Sequence, residues 1–207
     1  MASLTLYVDF RSPYSFLAKD EAFALVRDFA VDIAWRPFRI DIEAAYGGTV
    51  EQRSERDWRK VRYLYMDARR LAQKRGLIVR GTVKIFDPTH AHAAMLLAAE
   101  AGEATFRRFY DTASERFWRR ELDIEDAAAV RALLVDAGAD GAAFDRLIES
   151  GEGAARCRAI IAEGEARGVF GVPTFVLDAT GELFWGNDRL WLLRERLAEM
   201  RDGTPGR

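Results

Sequence analysis

Strand-like sequence occurs only towards the two ends of this 207-residue chain, and helical periodicity fills the stretch between them. Leu4, Leu6, Val8 and Phe10 alternate with Thr5, Tyr7 and Asp9, the two-residue period of a strand with one apolar face. Phe16, Leu17, Phe23, Ala24, Val26 and Phe29 then recur at helical spacing, and residues 31–38 read as a second strand, ended by Arg36-Pro37. Strand, helix, strand in that order suggests a parallel βαβ unit. Helical pattern covers residues 58–74, 90–101, 106–119, 125–135, 143–148 and 154–167, with glycines as punctuation. Residues 174–177 and 182–185 return as a hairpin about a turn at 178–181. Gly186-Asn187-Asp188 then caps a last helix over 189–200, and the tail 201–207 is expected to fray.

Composition bounds the function. Hydrophobic residues make up 49% and charged residues 31%, which suits a globule with a real core. Lys+Arg 31 against Asp+Glu 33 leaves a net charge of -2, no footprint for nucleic acid or an anionic membrane. The single cysteine, Cys157, excludes an internal disulfide and fits a reducing compartment. Met1 to Phe10 lacks a basic region followed by a long apolar core, so no signal peptide is expected. No apolar run approaches the roughly 20 residues of a spanning helix, and a cytoplasmic protein is the expectation.

The chemistry concentrates at Ser12-Pro13-Tyr14-Ser15, between the first strand and the first helix. With each serine read as cysteine, this is a Cys-Pro-Tyr-Cys thiol–disulfide motif. Gly171-Val172-Pro173-Thr174 reads as the Val-Pro-Thr loop that faces such a motif in thioredoxin-like folds. The chain thus keeps a redox scaffold without its own redox sulfur, and glutathione is the obvious external thiol. A helix start presents unpaired N–H groups and a positive dipole end, which favour a thiolate. Ser12 serves there either as a plain N-cap with Pro13 at N1, or as the hydroxyl that donates to a bound thiolate. Ser15 reads as ordinary solvent-facing polarity. A Val172-Pro173 bond reads either as cis, exposing the Val172 N–H and C=O to a peptide-like ligand, or as a trans start to the strand. Asn187 and Asp188 read either as caps or as a holder for the γ-glutamyl end.

Together these elements resemble the 2-hydroxychromene-2-carboxylate isomerase family, close to the kappa-class glutathione transferases in the DsbA-like branch of thioredoxin folds. The resemblance rests on the run from Asp9 to Leu17, on Arg36-Pro37-Phe38, on the run from Gly168 to Phe175 and on the run from Phe184 to Leu190. It also rests on Lys60, Tyr63, Asp67, Arg70, Ala72 and Gly76. It implies an α/β, thioredoxin-like fold with an all-helical domain inserted after the second strand. Residues 1–50 and 168–207 would form the thioredoxin-like domain and 51–167 the insertion. It implies glutathione as cofactor, with Ser12 beside its sulfur and Pro13 and Tyr14 lining the site. Val172, before a cis Pro173, would bind the cysteinyl backbone, Asn187 and Asp188 the γ-glutamyl end, and Lys60 would reach in from the insertion.

The implied activity is isomerisation of an aromatic or conjugated small molecule. The alternatives are a kappa-like glutathione transferase and a non-catalytic glutathione-binding module. A homodimer is implied, while dithiol oxidoreduction is not. The chain departs from the family in residues 40–53, where a Gly-Asn and Pro-rich run is usual, and at Phe86-Asp87-Pro88-Thr89-His90. Both segments would face the ligand. His90 and His92 fall on different helical faces, so no metal pair is expected, and His90 reads as a helix-start residue or an acid–base near substrate. Cys157, between Arg156 and Arg158, reads as a partly buried structural residue or a thiol of lowered pKa. Trp58 with Tyr63, Phe106 with Phe109, Phe117 with Trp118, and Trp191 read as core or interface.

Overall fold

The structure is a computed structural model that describes residues 2–201; Met1 and residues 202–207, most of the tail expected to fray, lie outside the described residues. Strand β1 (Ser3–Val8), helix α1 (Pro13–Phe29) and strand β2 (Asp32–Pro37) open the chain, with β1 and β2 parallel. Helices α2 (Ile42–Tyr46), α3 (Glu55–Lys74), α4 (Thr89–Glu100), α5 (Glu103–Trp118), α6 (Ala127–Asp136), α7 (Gly141–Glu149) and α8 (Glu152–Ala166) follow. Strands β3 (Thr174–Leu177) and β4 (Glu182–Trp185), a 3₁₀ turn (Asn187–Arg189) and helix α9 (Leu190–Arg201) close it. The sheet order is β2-β1-β3-β4, with β3 antiparallel to both neighbours. The two ends therefore share one sheet. The fold is thioredoxin-like, with helices inserted after the second strand, as expected from the sequence. Helix α2 is not foreseen, because its five residues are too few to show a period.

Strand β1 differs from its sequence reading in two ways. It ends at Val8, and it is buried on both faces, Thr5 and Tyr7 included. The reason is α8, which lies across the second face. Its Gly164 meets the Tyr7 ring so closely that an added Cβ would stand 2.8 Å from Tyr7 Cε1. Gly164→Val is expected to cost roughly 1–3 kcal/mol through overpacking. The check is a lower urea midpoint at unchanged slope; a wild-type midpoint would show that the face is not tightly packed.

The insertion is built around α4, whose Ala91, Ala93, Ala94, Met95, Leu96 and Ala98 are buried and which touches α5, α6, α7 and α8. A helix apolar on most sides is a core helix. The sheet domain and the insertion are joined by Lys19 of α1, only 3% exposed, whose ammonium lies 2.8 Å from Asp111 of α5 and 3.5 Å from Glu115. Phe106, Phe109, Phe117 and Trp118 are core, whereas Tyr63 and Trp191 are exposed. Among the described residues no helix is long and apolar enough to cross a membrane.

Candidate active site

Strand register brings the three singled-out segments to one end of the sheet. Val8 is the last residue of β1, and Tyr7 lies opposite Thr174, so Val172-Pro173 continues past the point where β1 runs into Ser12. Trp185 lies opposite Thr174, so Gly186-Asn187 emerges at the same end. The Gly186 N–H donates to the Pro173 carbonyl at 2.8 Å, tying two of the segments together. The Val172–Pro173 peptide is cis. Thr174 Oγ1 closes the loop on the Gly171 carbonyl at 2.7 Å. Among the described residues, neither the N–H nor the C=O of Val172 makes a hydrogen bond.

Ser12 is the N-cap of the 17-residue α1, with φ −91° and ψ 114°, and Pro13 follows at the first helical turn. The Ser12 Oγ accepts from the Ser15 N–H at 3.2 Å. It donates to no acceptor among the described residues, so its proton is uncommitted. Ser15 is not solvent-facing: it is fully buried, and its Oγ accepts from the Asp9 N–H at 3.4 Å. Tyr14 points to the insertion, donating its phenol to Asp67 Oδ2 of α3 at 2.8 Å. Burial and the Asp67 carboxylate both push that phenol's pKa up, which keeps it a donor.

Beneath the Ser12 turn lies a charged cluster that sequence reasoning missed. Asp9 is 0% exposed and Arg11 7%. The Asp9 carboxylate accepts from the Arg11 N–H at 2.9 Å, from Arg11 Nε at 3.0 Å, from an Arg11 terminal nitrogen at 2.6 Å and from the Ile40 N–H at 2.9 Å. Burial pushes the Asp9 carboxyl up, but the Arg11 guanidinium outweighs it and holds the group below the usual carboxylate range. His92 of α4 is 1% exposed, with Nε2 at 3.8 Å from Asp9 Oδ1 and no hydrogen bond of its own. Burial depresses the His92 pKa to about 4, against the opposing pull of Asp9. The signal available in sequence was an acid and a base, Asp9 and Arg11, two apart and directly ahead of Ser12.

Lys60 is exposed, its ammonium 3.4 Å from Asp57; it lies about two turns before Asp67 on the same face of α3. Asn187 and Asp188 form a 3₁₀ turn with no side-chain cap, and Asp188 pairs with Arg189 at 2.7 Å. No side-chain cap forms there: the Asp188 carboxylate folds back over Gly186, which has φ 103°, in space that any Cβ would fill. His90 places Nδ1 2.9 Å from the Glu125 carbonyl. Cys157 is buried, and burial raises its thiol pKa to about 11 despite the two flanking arginines, so it is the inert alternative of the two.

A strand running into a serine-capped helix, opposite a cis-proline loop, is the frame of a thioredoxin-type site. Residues 3–198 match the DSBA-like thioredoxin domain, and the chain belongs to that family. Within it, the chain is similar to the 2-hydroxychromene-2-carboxylate isomerase of Sphingobium xenophagum, 28% identical over 197 residues that cover 95% of this chain and 98% of that protein. The enzyme of the same name from Pseudomonas putida is 27% identical over 199 residues, covering 94% and 93%. A solved 2-hydroxychromene-2-carboxylate isomerase structure superposes with a TM-score of 0.78 at 26% identity, covering 99% of this chain and 100% of that one.

Proposed function

We propose that this chain is a glutathione-dependent isomerase of the 2-hydroxychromene-2-carboxylate isomerase type. The observation that carries the reading is the uncommitted Ser12 hydroxyl at the first turn of α1, at the same end of the sheet as the unpaired Val172 backbone. Supporting it is the similarity over nearly the whole length to isomerases of that name. Bound glutathione would supply a nucleophilic sulfur able to add to the C=C bond of a conjugated carbonyl, its π pair passing to the carbonyl oxygen and leaving a single bond free to turn, with return of that pair expelling the sulfur unchanged. Ser12 donates its hydroxyl hydrogen to that sulfur, and the α1 N-terminus favours its anionic form. Val172 offers one donor and one acceptor to the cysteinyl backbone, in the manner of an added strand. Asn187 and Asp188 face the γ-glutamyl end, where the Asp188 carboxylate exchanges its exposed partner Arg189 for an ammonium. The site has no second thiol, which suits a cofactor that is returned unchanged.

Calorimetric titration tests this. Glutathione and S-methylglutathione are both expected to bind the wild-type protein. Ser12→Ala is expected to weaken glutathione roughly 10- to 100-fold, the worth of a hydrogen bond to a charged group, and to leave S-methylglutathione nearly unchanged. Wild-type protein that binds neither ligand at millimolar concentration would overturn the reading. Turnover of 2-hydroxychromene-2-carboxylate with glutathione recovered unchanged identifies an isomerase; a thioether product identifies a transferase.

A further inference from the structure

We propose that Arg11 is the positioning residue of the Ser12 turn, holding in one place the three chain segments that frame it. The proposal deepens the functional reading above and rests on Ser12 being the working hydroxyl.

The geometry is as follows. Arg11 precedes Ser12 directly and is 7% exposed, so its charge is removed from water. Its Nε and one terminal nitrogen grip the Asp9 carboxylate at 3.0 Å and 2.6 Å. The same terminal nitrogen donates to the Ile40 carbonyl at 2.8 Å, in the loop after β2. The other donates to the Phe86 carbonyl at 3.3 Å, in the loop entering α4. One guanidinium thus ties the end of β1 to the sheet domain and to the insertion. Only a planar fork with several donors can do this; a lysine ammonium is a single point.

The consequence for Ser12 runs through Asp9. The carboxylate held by Arg11 accepts from the Arg11 N–H at 2.9 Å, and the Asp9 carbonyl accepts from the Ser12 N–H at 3.0 Å. The Asp9 N–H meets Ser15 Oγ at 3.4 Å. The main chain from Asp9 to Ser15 is therefore pinned at both ends of the turn that carries Ser12. A site displaced by about 0.5 Å loses much of its effect on a bound charge. Arg11 has a second effect as well. It neutralises Asp9, whose unpaired negative charge so close to the turn would disfavour any thiolate there.

The test needs no glutathione, so it fails separately from the functional reading. Ser12→Cys puts a reporter thiol at the turn, titrated by thiolate absorbance; the only other thiol, Cys157, is buried. Adding Arg11→Met is expected to raise the reporter's midpoint by at least about one pH unit and to lower the melting temperature. That shift mixes geometry with the freed charge of Asp9. The pair Asp9→Asn with Arg11→Met is net neutral, as the parent pair is, so any remaining shift does not come from a change of net charge, and Arg11→Lys separates geometry from the field of the pair. Replacing both partners of a buried pair restores much of the stability lost by removing one. The pair is expected to recover most of the melting temperature while the midpoint stays raised. A midpoint back at the parent value, with stability recovered, would make Arg11 merely structural and overturn the proposal. Arg11→Lys keeps the charge and the fold, and its midpoint is expected to rise as well. An unshifted Arg11→Lys midpoint would also overturn the proposal.

Discussion

Asp9→Ala is expected to lower the stability of this protein by about 3–5 kcal/mol, the range for a buried pair broken from one side. The carboxylate is fully buried and accepts from two backbone N–H groups and from two nitrogens of Arg11. Truncation strands the Arg11 guanidinium in a dry environment with only two carbonyls for company. It also leaves the Arg11 and Ile40 N–H groups without acceptors. Asp9→Asn is expected to lose less, because one acceptor oxygen survives, yet its amide N–H₂ then opposes the Ile40 N–H. Urea unfolding followed by circular dichroism measures both. An Asp9→Ala loss below about 1 kcal/mol would mean that the cluster is wetter than the structure has it. The pH dependence carries a sign of its own. The folded Asp9 pKa lies below its ordinary value. Its contribution is therefore complete above the unfolded pKa of roughly 4 and disappears only as pH falls through the folded value.

What the sequence discloses about the site is what lies close along the chain. Ser12 as N-cap and Pro13 in the first turn need only a strand before them and a helix after, and both are legible from period and composition. Residues 174–177 and 182–185 are legible as a hairpin for the same reason. The Asp9–Arg11–His92 cluster is not, because α4 is brought to the β1 end by the packing of the insertion. A spacing of two between His90 and His92 correctly separates their faces, but says nothing of which one turns inward. His90 meets the Glu125 carbonyl, while His92 enters the core beside Asp9. Ser15 misleads in the same way. A serine in a first helical turn is usually solvated, but here the turn is roofed over and its hydroxyl braces the Asp9 backbone. At Asn187 and Asp188 the composition is that of a cap, yet the segment forms a 3₁₀ turn with no side-chain cap, the Asp188 carboxylate lying over Gly186 and pairing with Arg189. Tyr7 and Thr5 alternate as outward residues should, and only α8 folding back over them makes both faces of β1 interior.

Stability is expected to fall by roughly 3 kcal/mol as pH drops from about 6.5 to about 4, and His92 is the cause. Its ring is 1% exposed, its Nε2 lacks a hydrogen-bond partner, and burial pulls its folded pKa down to about 4 from 6.5. Asp9 and Asp87 pull the other way, and Arg11 and Arg39 assist the depression, so burial decides the direction. Between those two pH values the unfolded chain carries a proton on this imidazole that the folded chain does not. The unfolded state binds more protons there, so stability rises with pH across the window and levels off above it. Both groups lose stability on acidification, and the pH window separates them: the His92 loss spans about 6.5 to about 4, while the Asp9 loss begins only below the unfolded carboxylate pKa of roughly 4. His92→Phe removes the titration and keeps an aromatic ring against Phe10, whose centroid lies 6.0 Å from that of His92. Urea midpoints taken at half-unit steps from pH 7 to pH 4 are expected to slope in the wild type and to run nearly flat in His92→Phe, whatever the offset between the curves. Parallel slopes would assign the acid sensitivity to another group and would mean that His92 reaches water in the folded state.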